Sequence, residues 1–179
     1  MKRVLYFLIW VSILGAGAAR AGEYSRLNSS WYIGFGLGWG SGWIYTDTAS
    51  LEGRGGEGMF KVGGVLGPHS LIGYEAGAWG NGEEGNRIFY THHDLMFTVF
   101  PWTQYGFFAK GGVGLGYLHV ESGDSWGRSR AGLDIRLGTG YEFQLGRSFN
   151  LGVELVWTST FFEQQDLGDA GLLITCSWY

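Results

Sequence analysis

From Arg130 to Leu145 the chain separates into two interleaved rows. Arg130, Gly132, Asp134, Arg136, Gly138, Gly140 and Glu142 form one row; Ala131, Leu133, Ile135, Leu137, Thr139, Tyr141, Phe143 and Leu145 form the other. Side chains of an extended strand alternate between its two faces. Every charge in this stretch therefore falls on one face and nearly every apolar group on the other. Strands of soluble sheets usually run about 5–6 residues, whereas a strand tilted across a bilayer needs about 9–11 and its ends project further. The length leaves two folds open: a half-buried strand of a soluble barrel, or a wall strand of a membrane barrel.

The start of the chain bears on that choice. Lys2 and Arg3 precede an apolar run from Val4 to Ala16, and Ala19-Arg20-Ala21 supplies a small-x-small cleavage site. The pattern reads as a cleaved secretory signal over residues 1–21, because the run falls short of the ~20 residues of a spanning helix. A short N-terminal segment, 22–30, and a barrel, 31–179, would follow. Without Lys2, Arg3 and Arg20, nine basic residues face sixteen acidic ones, a net charge of −7. That balance argues against a nucleic-acid partner. The sole cysteine, Cys176, cannot form an intramolecular disulfide.

Beyond the signal no segment has helical periodicity. Eight alternating segments are predicted at 31–45, 58–67, 70–80, 87–100, 105–121, 128–145, 149–161 and 169–179. The first, third, fifth and seventh connections (Asp47 to Glu57, Asn81 to Asn86, Glu121 to Gly127, Phe162 to Gly168) are polar and longer. The second, fourth and sixth (Gly67-Pro68-His69, Pro101 to Gln104, Gly146-Arg147-Ser148) are short and hold both prolines. An even strand count with alternating connection lengths predicts an all-β, eight-stranded antiparallel up-and-down transmembrane barrel. Aromatic residues gather near the segment ends. Trp31, Phe97, Trp102, Tyr105, Phe107, Tyr141, Phe149 and Trp178 would form a periplasmic girdle, and Trp39, Trp43, Tyr45, Phe89, Tyr117, Trp157 and Phe161 an outer one. In a lipocalin-like soluble barrel the same rings would crowd an interior barely wide enough for side chains.

Trp31-Tyr32-Ile33-Gly34-Phe35-Gly36-Leu37-Gly38, Lys110-Gly111-Gly112-Val113-Gly114-Leu115-Gly116-Tyr117 and the terminal Trp178-Tyr179 resemble the small outer-membrane barrels of the OmpA and OmpX type. The resemblance covers essentially the whole mature chain. It implies a monomer in the bacterial outer membrane, in contact with outer-membrane lipid and lipopolysaccharide and inserted by the barrel assembly machinery through a C-terminal aromatic. Here Leu172, Ile174, Cys176 and Trp178 form the apolar row, and Tyr179 instead shares the row of Thr175 and Ser177.

Facing inward, Lys61, Glu75, His92, Asp94, Lys110, Arg130, Asp134, Arg136, Glu142 and Glu154 would share one narrow lumen. Unpaired charges there are costly, so a paired network is expected, with Lys110 reaching Asp134 and Glu154 flanking Arg136. Glycine stripes on the first and fifth strands, opposite each other, would leave a slot for water or a small solute unless long side chains fill it. The acidic residues Glu52, Glu57, Glu83, Glu84, Asp124, Glu163, Asp166 and Asp169 are placed on the external rim, with Arg54, Arg87 and Arg128 among them.

Catalytic patterns are weak. His92-His93-Asp94 puts His92 and Asp94 in the lumen and His93 toward lipid, with no nucleophile beside them. His119, near Glu121 and Ser122 at the outer rim, has the location of a lipid A deacylase base but lacks the His-x-Ser pattern of those enzymes. Trp157-Thr158-Ser159 offers the serine with tryptophan where the base belongs. No His/Cys cluster has metal-ligand spacing, and no cofactor is expected. The sequence thus favours a non-catalytic structural or surface-interaction protein, with a narrow pore or a lipid A-modifying hydrolase as alternatives and the surface ligand unspecified.

Overall fold

The computed structural model describes residues 25–46, 50–83, 86–122, 125–126, 130–163 and 165–179. The predicted signal peptide, residues 1–21, lies outside them. A short 3-10 turn, Ser25–Asn28, leads into β1 (Trp31–Thr46), β2 (Ser50–Gly67), β3 (Ser70–Glu83), β4 (Asn86–Val99) and β5 (Phe107–Ser122). Then follow the two-residue β6 (Ser125–Trp126), β7 (Arg130–Gln144), β8 (Phe149–Phe161) and β9 (Gln165–Trp178). Each long strand pairs antiparallel with its neighbours along the chain, and β1 pairs with β9 from Ile33↔Trp178 to Thr46↔Gln165. The result is a closed ring of eight strands with no free edge. β6 only prolongs the outer end of β5, through Glu121↔Trp126 and Ser122↔Ser125.

The expected alternation of long and short connections is not what forms. β2 begins at Ser50 rather than at residue 58, β3 runs on to Glu83, and β9 starts at Gln165. The first and third connections, both at the outer end, shrink to residues 47–49 and 84–85, while the periplasmic link between β4 and β5 is residues 100–106. Glycine and acidic residues read as loop in the sequence, but as wall strands they still pair: Glu52 opposes Trp43, and Glu57 opposes both Gly38 and Trp79. Closure explains this, because a strand flanked on both sides satisfies its backbone whatever its side chains are. The wall therefore projects past its apolar band. On that extension the outward residues Glu52 and Arg54 are exposed.

The two faces differ in the direction a membrane requires. Leu37 is 76% exposed on the outer face, Ile174 61% and Leu115 50%, whereas Asp134, Arg136 and Glu154 are fully buried inside. An apolar surface of this extent in water would be an aggregation surface; in lipid it is the matching solvent. The inside-out distribution excludes the soluble-barrel alternative. Of the expected girdle residues, Trp31, Trp39, Tyr45, Phe89, Trp102, Tyr105, Trp157 and Trp178 are exposed on the outer face. Trp43, Tyr117 and Tyr141 are partly buried.

Candidate functional site in the barrel lumen

The lumen is filled in strata. At the outer end Ile44, Trp79, Tyr90, Leu118, Phe162 and Leu167 form an apolar plug. At the periplasmic end Tyr32, Leu71, Phe100, Phe108 and Tyr179 form another. Arg26, from the turn before β1, is fully buried against the latter: its guanidinium lies 3.9 Å from the Phe100 ring centre and donates to the carbonyls of Thr103 and Tyr105 at 3.1 and 3.0 Å. Nothing in the sequence marks this inward cap except a lone arginine in a short polar lead.

Between the plugs lies a charged layer. Lys110 Nζ donates to Glu75 Oε2 at 2.5 Å, touches Glu154 Oε1 and lies 3.7 Å from Met59 Sδ. Arg136 donates to Glu57 Oε1 and to Thr158 Oγ1, both at 2.7 Å. Lys61 Nζ is 3.8 Å from Glu142, which also accepts from Asn150, Ser177 and Tyr179. β2 and β7 are diametrically opposite in the ring, so Arg136–Glu57 and Lys61–Glu142 each span the lumen. Such bridges tie together strands that share no backbone hydrogen bond.

The partners differ from those expected. Lys110 opposes Gly138, four residues from Asp134 along β7, and Arg136 opposes Thr158, four residues from Glu154 along β8. The stagger of the barrel thus moves both expected pairs out of reach. Glu57 and Asp169, placed on the external rim by the sequence, are buried inside because their strands extend further than expected. Arg130 lies in β7, but its side chain is outside the described residues. Among the described buried residues, the cations Arg26, Lys61, Lys110 and Arg136 stand against seven acids: Glu57, Glu75, Asp94, Asp134, Glu142, Glu154 and Asp169. The described interior is acid-rich.

The glycine slot is filled by side chains from several strands, Thr160 of β8 against Gly116 among them. A Cβ on Gly34 would come 2.7 Å from Lys61 Cε, one on Gly42 2.8 Å from Trp79, and one on Gly112 2.2 Å from Met96 Sδ. A void of about 10 Å³ remains among Tyr32, Lys61, Glu75, Lys110 and Glu142, room for one water at most. Tyr179, the chain's last residue, turns inward and donates to both Glu142 oxygens at 3.0 and 2.9 Å. Tyr179→Phe is expected to lower the unfolding free energy by about 1–2 kcal/mol, read as a shift of the urea midpoint of the refolded barrel. An unchanged midpoint would mean that Lys61, Asn150 and Ser177 satisfy Glu142 unaided.

His92 Nδ1 lies 2.7 Å from Asp94 Oδ2, both buried. Asp134 accepts from Tyr90 and Thr160 at 2.8 and 2.5 Å, and its carboxyl is within hydrogen-bonding reach of that of Asp94. His93 points outward, as its place in the row requires, and shares a 2.5 Å hydrogen bond with Tyr74 on the lipid face. His119 sits against Phe89 with ring centres 6.4 Å apart, while the side chains of Glu121 and Ser122 are outside the described residues. Thr158 turns inward to Arg136 and Ser159 outward.

No protein-family model matches the chain, and no curated protein matches it by sequence. Solved structures do match. The attachment invasion locus protein Ail of Yersinia pestis aligns with TM-score 0.56 at 13% identity, over 84% of this chain and 100% of Ail. The fold is that of a small outer-membrane β-barrel. Neisserial surface protein A aligns with TM-score 0.57 at 11% identity, over 84% of this chain and 97% of that one. Ail in complex with the heparin analogue sucrose octasulfate aligns with TM-score 0.55 at 14% identity, over 84% of this chain and 100% of that chain. At these identities the likeness concerns the fold alone.

Proposed function

We propose that the chain is an exported, monomeric outer-membrane barrel with a structural or surface-interaction role, acting neither as a pore nor as an enzyme. The observation that carries this reading is the occupied lumen. Two apolar plugs bracket a bridged charged layer, and among the described residues the void lined by Tyr32, Lys61, Glu75, Lys110 and Glu142 holds a single water at most. An ion path needs an open, continuous polar route, and among the described residues Lys110, Arg136 and Lys61, each bound to carboxylates, close the middle of the lumen. Catalysis fares no better inside, because a substrate cannot reach His92 or Asp134 past the plugs.

The export signal and the apolar outer face support an outer-membrane address, with lipid and lipopolysaccharide as surroundings and insertion by the barrel assembly machinery. At the outer end, Glu52, Glu163 and Asp166 are exposed against Arg54. A net negative rim suits bridging by divalent cations to lipopolysaccharide phosphates rather than the polysulfated ligand seen with the Yersinia protein. The test is reconstitution of the refolded barrel in a planar bilayer. The expected trace is the baseline conductance of the protein-free bilayer. Discrete, reproducible conductance steps would establish the pore instead, and altered acylation of lipid A from cells making the protein would establish the enzyme.

A further inference from the structure

We propose that His92, Asp94 and Asp134 form a buried binding site for one divalent transition-metal ion of the zinc class inside the barrel. The three side chains are almost completely buried, and their donor atoms lie within 4.8 Å of one another. Ligands at about 2.0–2.2 Å around one tetrahedral ion lie about 3.4 Å apart, so the side chains must turn inward by up to about 1.4 Å to close the shell. One imidazole with two carboxylates is a donor set suited to zinc, manganese or cobalt. It lacks the thiolates that soft ions take and the six to eight oxygens that calcium takes.

The three side chains face one another, and part of their hydrogen-bonding capacity is met by no other group. Asp134 receives both the Tyr90 and the Thr160 hydroxyl on Oδ1, leaving Oδ2 without a protein donor. Asp94 Oδ2 faces His92 Nδ1, leaving Asp94 Oδ1 and His92 Nε2 without one. These outer contacts fix the orientation of the would-be ligands, the part that supporting hydrogen bonds play at metal centres. Glycines on the strands flanking β4 let both side chains lie flat against the wall: a Cβ on Gly77 of β3 would come 2.2 Å from His92 Nε2, and one on Gly114 of β5 2.3 Å from Asp94 Oδ1.

Charge gives the strongest reason. Among the described residues the buried cations are committed elsewhere: Lys110 to Glu75 and Glu154, Lys61 to Glu142, Arg136 to Glu57 and Thr158, and Arg26 to the carbonyls of Thr103 and Tyr105. Among the described residues no lysine or arginine lies within ion-pair distance of Asp94 or Asp134. Two carboxylates in contact in a water-poor interior cannot both stay ionised without a cation. A dication with a neutral imidazole balances them completely. Two protons would also do so, one on His92 and one shared by the carboxyls, and this is the competing occupant. Asp134 is distant in sequence from the His92–Asp94 pair, which is why ligand spacing along the chain does not reveal the site.

With both ends plugged, the ion would enter as the barrel closes, so the test loads it during refolding. The full mature chain is refolded in detergent with excess Zn²⁺ or with a chelator, freed of loose metal by gel filtration and assayed for zinc. Folding is scored independently by the mobility difference between boiled and unboiled samples. The expected result is about one zinc per folded chain, falling at least tenfold in His92→Gln and in Asp134→Asn, and unchanged when His69, His93 and His119 are all replaced by Gln. Asp134→Asn removes a buried charge and is expected to fold at least as well as wild type without metal, which keeps the test decisive if His92→Gln does not fold. Cobalt refolded in place of zinc should give visible ligand-field absorption that Asp134→Asn abolishes. Occupancy below a tenth of an ion per chain, or occupancy that survives Asp134→Asn, would overturn the metal site and leave the protons as occupant.

Discussion

Lys110→Met is expected to be the most damaging single change in the lumen. Its ammonium sits between Glu75 and Glu154, which come from strands two places away on either side of β5. Breaking one buried pair by removing a partner costs about 3–5 kcal/mol, and here one deletion strands two carboxylates. The variant should refold poorly, or unfold at a urea midpoint well below that of wild type, followed by tryptophan fluorescence in the same detergent. The cause can be isolated. Adding Glu75→Gln and Glu154→Gln to Lys110→Met removes all three charges with little change in volume, and should recover most of the loss. A single variant as stable as wild type would show that the bridges contribute nothing and that the aromatic plugs alone hold the lumen.

The second large effect belongs to the opposite face. Leu137 is 48% exposed, and on the wall it stands between Gly111 of β5 and Trp157 of β8. Leu137→Arg would present a guanidinium to hydrocarbon at a cost of about 2–4 kcal/mol near the bilayer midplane, falling toward zero at the interfaces. Leu145, 62% exposed at the periplasmic turn, provides the comparison. Refolding yield into lipid vesicles should drop for Leu137→Arg and stay near wild type for Leu145→Arg. Equal yields would mean that depth in a membrane has no bearing on either site.

How much of this was written in the sequence follows from which features are local. The assignment of Leu133, Ile135 and Leu137 to one face and of Asp134 and Arg136 to the other needs only the two-residue period of a strand. It carries into the structure unchanged. Strand ends are less legible: Ser50 to Glu57 lacks an apolar row, so it reads as loop although pairing with β1 keeps it extended. That one misreading moves Glu57 from the rim to the centre of the lumen, where it becomes the partner of Arg136. Pairing inside is the least legible of all. It depends on shear and on contacts across the ring, as in Lys61–Glu142, and neither is a property of any short stretch of chain. The same reasoning covers Asp134, whose approach to Asp94 is set by the stagger between β4, β5 and β7.

Quenching from the lipid distinguishes the apolar outside of the barrel from its charged, plugged inside. Trp157 is 43% exposed on the outer wall, and Trp79 is 3% exposed within the lumen. Variants retaining only one of these tryptophans, the others replaced by Phe, would be refolded into vesicles whose acyl chains carry bromine. Emission from Trp157 should be strongly quenched relative to unbrominated vesicles, and emission from Trp79 nearly unchanged. Strong quenching of Trp79 with little effect on Trp157 would place the lumen face in lipid and rule out this arrangement.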